Sequence, residues 1–134
     1  MSPEEPAFSA FKSRSGLKRI AGAMRYSAQG LRSAWKHEHA FRQELFVIVP
    51  ATVAALSLPV SAVEKLLLVV TMVLVLMVEL LNSAIEAVVD RVSLERHPLS
   101  KNAKDFGSAA VMLAVLLSVA CWAVVLWGWL AHRS

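Results

Sequence analysis

The chain has one cysteine, Cys121, set in an apolar run with no partner. An intrachain disulfide framework is therefore excluded, and Cys121 reads as a small buried hydrophobe. Glycine is scarce as well. The five glycines, at positions 16, 22, 30, 107 and 128, form neither a GxxxxGK[ST] nor a GxGxxG loop. Without such a loop, and with so little soluble chain, a soluble nucleotide-binding fold is not available. There is no HExxH and no Cys/His zinc spacing. His37, Glu38 and His39 are adjacent in sequence, but neighbouring helical residues diverge by about 100° and do not converge on one ion. Met1 to Ala10 lacks an early apolar core, which argues against a cleavable signal peptide.

What the chain has in quantity is apolar surface. Of its 134 residues 57% are hydrophobic, well above an ordinary soluble domain, and the length suits one domain. Residues 1–15, with Pro3 and Pro6, read as a flexible N-terminal tail, and residues 16–134 as a single membrane domain. Over about 16–40, Leu17, Ile20, Ala21, Met24, Ala28, Leu31 and Trp35 recur at steps of three and four. Lys18, Arg19, Arg25, Arg32 and Lys36 take the other positions, so this is an amphipathic helix suited to an anionic membrane surface. Apolar spans follow at about 45–63, 66–89 and 107–131. Pro50 lies inside the first, where neighbouring helices make proline tolerable. Ser61 to Lys65 reads as a short turn and Arg91 to Phe106 as a polar loop. Trp122, Trp127 and Trp129 make an interfacial anchor on the third span. The predicted fold class is all-α integral membrane, an N-terminal amphipathic surface helix followed by three transmembrane helices.

Basic residues set the expected topology. Eight of the fourteen Lys and Arg (Lys12, Arg14, Lys18, Arg19, Arg25, Arg32, Lys36, Arg42) precede the first span, and Arg91, Arg96, Lys101 and Lys104 separate the second and third. Only Lys65 and Arg133 fall on the other side. The positive-inside rule puts the N-terminus in the cytoplasm and the C-terminus outside, in the periplasm.

The second span carries the feature that needs a reason. Glu79, Asn82, Ser83, Glu86 and Asp90 close an otherwise apolar run. At 100° per residue Glu86 lies about 20° to one side of Glu79 and Asp90 about 20° to the other. Asn82 and Ser83 flank them at about 60° and 40°. An acid at the centre of a membrane helix costs roughly 2.5–3.5 kcal/mol, so an aligned set points to a functional site rather than to interhelical hydrogen-bonding. Carboxylates at a membrane surface take hard divalent cations, and Mg²⁺ uses one or two of them together with substrate phosphates. Lys104 and Arg91 could neutralise phosphate. Glu38 and Glu44, near the start of the first span, could approach the stripe from another helix. The residues alone support a membrane enzyme or transporter with a cytoplasm-facing, divalent-binding acidic site.

Several blocks also carry a family resemblance. Glu79-Leu-Leu-Asn82-Ser83-Ala84-Ile85-Glu86-Ala-Val-Val-Asp90-Arg91 resembles the signature of the prokaryotic diacylglycerol kinases. Gly30-Leu31-Arg32-Ser-Ala-Trp35, Glu38-x-Ala40-Phe41-Arg42-Gln43-Glu44 and Ala103-Lys104-Asp105-Phe-Gly107-Ser108-Ala109-Ala110 match in the same order, from about Tyr26 to Trp127. The Glu-Leu-Leu-Asn-Ser-Ala-Ile-Glu run is closer to the diacylglycerol branch than to the undecaprenol kinases. The resemblance implies a homotrimer in the bacterial inner membrane, with composite sites between chains, passing the γ-phosphate of MgATP to diacylglycerol to give phosphatidic acid. It implies that Glu79 is the base and that Glu38 and Glu86 hold Mg²⁺ on the ATP phosphates. Glu38, Glu86, Glu95, His97, Lys104 and Asp105 would contact the nucleotide. Arg32, Trp35, Glu44, Asn82 and Asp90 would serve substrate or structural support, Asn82 through a hydrogen bond. The implied partners are ATP, diacylglycerol, membrane lipids and other copies of the chain, with no nucleic acid. The chain departs from the family pattern at Ala28-Gln29, Pro98 and Lys101 and in its longer tail. Three other readings use the same acids: another lipid-alcohol kinase, a small cation-coupled transporter, or a regulatory membrane peptide with replaceable carboxylates. A transporter would place its Glu near mid-span and need no basic loop.

Overall fold

The computed structural model describes residues 16–134, so the tail expected over 1–15 lies outside the described residues. Four helices follow in order: α1 Gly16–His37, α2 His39–Ser57, α3 Ala62–Val92 and α4 Pro98–Ala131. Among the described residues there is no strand. α1 belongs to one compact unit, and α2 to α4 form a second, Glu38–Ser134.

Helix ends differ from the expectation where polar residues cap the chain. α1 stops at His37, before residue 40, because Glu38 adopts an extended backbone (φ −104°, ψ 108°) as the N-cap of α2. α2 then begins at His39, ahead of the apolar run, so Arg42 and Glu44 are helical. It also ends at Ser57, and residues 58–60 leave the helix before Pro59 can interrupt it. Ser61 to Lys65 is not a turn but the start of α3. The Ser61 side chain accepts from the Glu64 amide (3.2 Å), and the Glu64 carboxylate accepts from the Ser61 amide (2.8 Å), a reciprocal capping box.

The largest difference is at the other end of α3. The polar loop expected over residues 91–106 contracts to 93–97. Pro98 occupies the first turn of α4, where its missing N–H costs nothing, and His97 Nδ1 accepts from the Leu99 amide at 3.1 Å. Lys101, Lys104 and Asp105 thus project from a helix rather than a loop.

Short connections make α2, α3 and α4 antiparallel neighbours, with α3 packed along α4 and against α2. Ala55, Leu68 and Val125 form the buried cluster, with Leu58, Val60, Cys121 and Trp122 against it. Nearby, Thr71 Oγ1 donates to the Leu68 carbonyl (3.1 Å) and accepts from Ser118 Oγ (3.3 Å), linking α3 to α4. Most other apolar side chains of these helices are exposed, among them Phe46, Leu66, Val73, Leu113 and Val124. All three helices are long and apolar enough to cross a membrane, and lipid is the environment that makes such a surface stable. α3, at 31 residues, and α4, at 34, extend about 46 and 51 Å against a hydrocarbon core of about 30 Å. Their polar ends therefore reach the membrane surface.

Leu68 is fully buried. Leu68→Ala is expected to destabilise the α2–α4 unit by about 2 kcal/mol, the low end of the range for soluble cores. The helices stay in apolar surroundings when they separate, so packing is lost but little transfer energy. Unfolding in mixed detergent–SDS micelles measures it, with lipid-facing Leu67→Ala, changing little, as the control.

Candidate active site

On α3 the buried residues Leu68, Thr71, Met72, Val75, Glu79 and Asn82 recur at steps of three and four. The stripe anticipated from the sequence is the polar continuation of the face that packs on the other helices. Glu79 and Asn82 are buried, Ser83 and Glu86 half-buried, and Asp90 exposed at the end. The polarity thus increases toward the membrane surface along one line.

The antiparallel arrangement brings the start of α2, the end of α3 and the start of α4 to the same end of the unit. Glu38 and Glu86 both lie close enough to Glu79 for like-charge repulsion, and so does Glu44. Three carboxylates, from α2, its cap and α3, thus lie within electrostatic reach of the buried Glu79. Glu86 is steadied by Asn82, whose Nδ2 donates to Glu86 Oε1 at 3.3 Å. Two buried acceptors, Asn82 Oδ1 and Glu44 Oε2, have no hydrogen-bond partner among the described residues. Glu44 lies on an apolar groove of about 660 Å³ whose walls include Ile48, Met72, Val75, Ser118 and Trp122.

A second feature adjoins the acids. A cleft of about 870 Å³ is lined by Asp90, Glu95, His97, Lys101, Lys104 and Asp105. Lys104 Nζ donates to Asp90 Oδ1 across α3 and α4 at 2.7 Å, and Lys101 Nζ to Asp105 Oδ2 at 2.5 Å along α4. Lys104 also lies within electrostatic reach of Glu86, so one lysine connects the cleft to the acidic cluster. The structure thus gathers Glu38, Glu44, Glu79, Asn82 and Glu86 in one group and Asp90, Glu95, His97, Lys104 and Asp105 in another. Arg32 and Trp35 lie exposed on α1, in the other compact unit.

The donor chemistry suits a hard divalent cation shared with a ligand. Among the described residues no three His, Cys, Asp or Glu side chains form a closed metal site. Glu38 and Glu86 could supply two carboxylates, and Mg²⁺ needs no more when phosphate and water complete its octahedron. The nearby histidines are engaged elsewhere: His37 Nδ1 donates to the Ser33 carbonyl (3.1 Å), and His39 Nδ1 accepts from Arg42 Nη2 (2.7 Å).

Gly107 is the site residue that sequence reasoning left without a role. It is buried on α4, and a Cβ built there would overlap Asn82 Oδ1 and stand 3.1 Å from Asn82 Cγ. The available signal was an isolated glycine inside an apolar helical pattern, which carries a helix-propensity cost and asks for a packing reason.

Comparison with known proteins agrees over most of the chain. The family model "Prokaryotic diacylglycerol kinase" matches residues 25–126. The chain is 51% identical over 112 residues to the diacylglycerol kinase of Escherichia coli K12, covering 84% of this chain and 92% of that protein. With the diacylglycerol kinase of Pseudomonas aeruginosa it shares 52% identity over 120 residues, 90% of this chain and 98% of that one. The Haemophilus influenzae diacylglycerol kinase is 43% identical over 114 residues, 83% of this chain and 94% of its own length.

Neutralising one member of a crowded acidic cluster should relieve repulsion. Glu79→Gln is expected to raise the thermal midpoint in detergent by a few degrees, as substitutions at function-strained sites do. Circular dichroism melting checks it.

Proposed function

The chain belongs to the prokaryotic diacylglycerol kinase family, and from that membership and the geometry above we propose that it phosphorylates diacylglycerol at the expense of ATP. The reaction moves the γ-phosphate of ATP to the lipid's primary hydroxyl and yields phosphatidic acid and ADP. The single observation that carries the reading is the buried Glu79 in an acidic cluster whose Glu86 lies within electrostatic reach of Lys104 in the adjoining cleft.

In this mechanism the Glu79 carboxylate accepts the hydroxyl proton as the lipid oxygen bonds to the γ-phosphorus. The bond from that phosphorus to the β–γ bridging oxygen breaks, and the electron pair leaves with ADP. Burial keeps water from competing for the phosphoryl group. Glu38 and Glu86 would hold Mg²⁺, which would supply charge neutralisation on the phosphates. Asn82 fixes Glu86 through its amide. Lys104 faces phosphate from the cleft, and Glu95, His97 and Asp105 line the nucleotide's side of it. Asp90 holds Lys104 in place between α3 and α4. Glu44, on the apolar groove, lies on the lipid's side of the cluster. Phosphoryl transfer asks chiefly for such positioning and charge stabilisation, which side chains on three helices supply without a glycine-rich loop.

The same reading places the protein in the bacterial inner membrane, with the N-terminus and the α3–α4 connection in the cytoplasm. The basic residues around that connection support this orientation, and ATP is then met at the right face. α1, with exposed Leu17, Ile20, Met24, Leu31 and Trp35 beside Lys18, Arg19, Arg25 and Arg32, suits the membrane surface. The working form is a homotrimer with sites completed between chains, in keeping with the family resemblance. Arg32 and Trp35 support the lipid or the site from α1.

Glu79→Gln keeps size and hydrogen bonding but removes the base. It is expected to lower turnover of diacylglycerol in mixed micelles by about 10²–10⁴-fold while nucleotide binding persists. Full activity in that variant would sink the assignment. Glu86→Gln is expected instead to raise the Mg²⁺ concentration needed for half-maximal rate, and an unchanged Mg²⁺ dependence argues against its role as a ligand.

A further inference from the structure

Gly107 lies in the third turn of α4, directly opposite Asn82 on α3. Glycine is the poorest helix former after proline, and the neighbouring turns use alanine at 103, 109, 110 and 114. Helix formation alone therefore favours alanine at 107. The contact with Asn82 reverses that preference, since even a methyl group would overlap the amide oxygen. Gly16, Gly30 and Gly128, by contrast, face open space, and the Cβ at Gly22 would meet only a tyrosine ring at ordinary contact distance, 3.8 Å.

The Asn82 side chain is more than nine-tenths buried and has two distinct ends. Its Nδ2 donates to Glu86 Oε1, and its Oδ1 occupies the volume over Gly107 with no hydrogen-bond partner among the described residues. The reverse orientation would set the amide oxygen against a carboxylate, so Glu86 selects the one observed. A side chain at 107 must push the amide out of this seat, and the Glu86 carboxylate would lose the donor that orients it. We infer that the missing side chain at Gly107 is a slot that seats Asn82 and, through its amide, aims Glu86: Gly107 is a positioning residue for the carboxylate that meets the metal and phosphates. The inference rests on the reading of Glu86 as an ion-holding group.

The test uses the full chain in detergent micelles with Gly107→Ala, Asn82→Ala, the double variant, Glu86→Gln and the open-space control Gly128→Ala. Mn²⁺ affinity is measured by electron paramagnetic resonance in the presence of a non-hydrolysable ATP analogue, and thermal stability beside it. Gly107→Ala and Asn82→Ala are each expected to weaken Mn²⁺ binding about tenfold, the scale for groups that orient a ligand. In the Asn82→Ala background Gly107→Ala should add less than twofold, because the side chain it displaces is gone. Multiplicative losses in the double variant, or unchanged affinity in Gly107→Ala, would overturn the inference. If Gly107→Ala does not fold, recovery of the fold in the double variant supports the slot, and failure there too refutes it. Unchanged Mn²⁺ affinity in Glu86→Gln defeats the ion-holding reading itself. The stability cycle then decides the slot alone: a Gly107→Ala loss that disappears in Asn82→Ala upholds it, and one that persists overturns it.

Discussion

The arrangement depends on holding like charges together in a poorly screened place. Glu38, Glu44 and Glu86 all repel Glu79, and burial weakens the water screening that would relieve them. Nothing in such a cluster favours its own assembly. The energy that holds it comes from the opposite end of the unit, where Ala55, Leu68 and Val125 close the packing and Thr71 bonds to Ser118. At the polar end the ties are few: the Asn82–Glu86 bond and the Lys104–Asp90 pair across α3 and α4. An acidic cluster built this way favours whatever brings positive charge.

This division of labour lets the described helices both anchor and carry polar groups. α3 and α4 exceed the bilayer thickness, so each has an apolar part that anchors and a polar end that stands in the interface. Lipid hydroxyls and water-soluble phosphates meet at that depth. The burial gradient from Glu79 to Asp90 along one line of α3 gives a dry position at one end and a wetter one at the other.

Capping decides where those polar ends begin. His97 and Pro98 start α4 early, which puts Lys101, Lys104 and Asp105 on a rigid helix rather than on a loop. A lysine carried on a helix is held at a set depth and direction, and the bond from Lys104 to Asp90 requires that register. Asp90, the exposed end of the stripe, gains a defined contact from this helical start. Similarly, the Glu38 cap ends α1 and starts α2, which carries Glu38 and Glu44 to the acidic end.

The sequence by itself determined the all-helical membrane character, the three apolar helices and the alignment of Glu79, Asn82, Glu86 and Asp90, because these follow from composition and from the 100° step of one helix. The motif blocks around Glu79 to Arg91 and Ala103 to Ala110 were likewise enough to point to the kinase family. The extent of α4 was not legible, because charged residues such as Lys101 and Lys104 look like loop when apolar periodicity is the guide, and a proline at residue 98 reads as a break although it is a favourable first-turn residue. Only the tertiary structure decided which groups meet: Lys104 with Asp90, Thr71 with Ser118, and the empty position at Gly107 with the Asn82 amide. These pairs are separated by 14 to 47 residues along the chain or more loosely defined by spacing, and the relative rotation of two packed helices has no signature in either one alone.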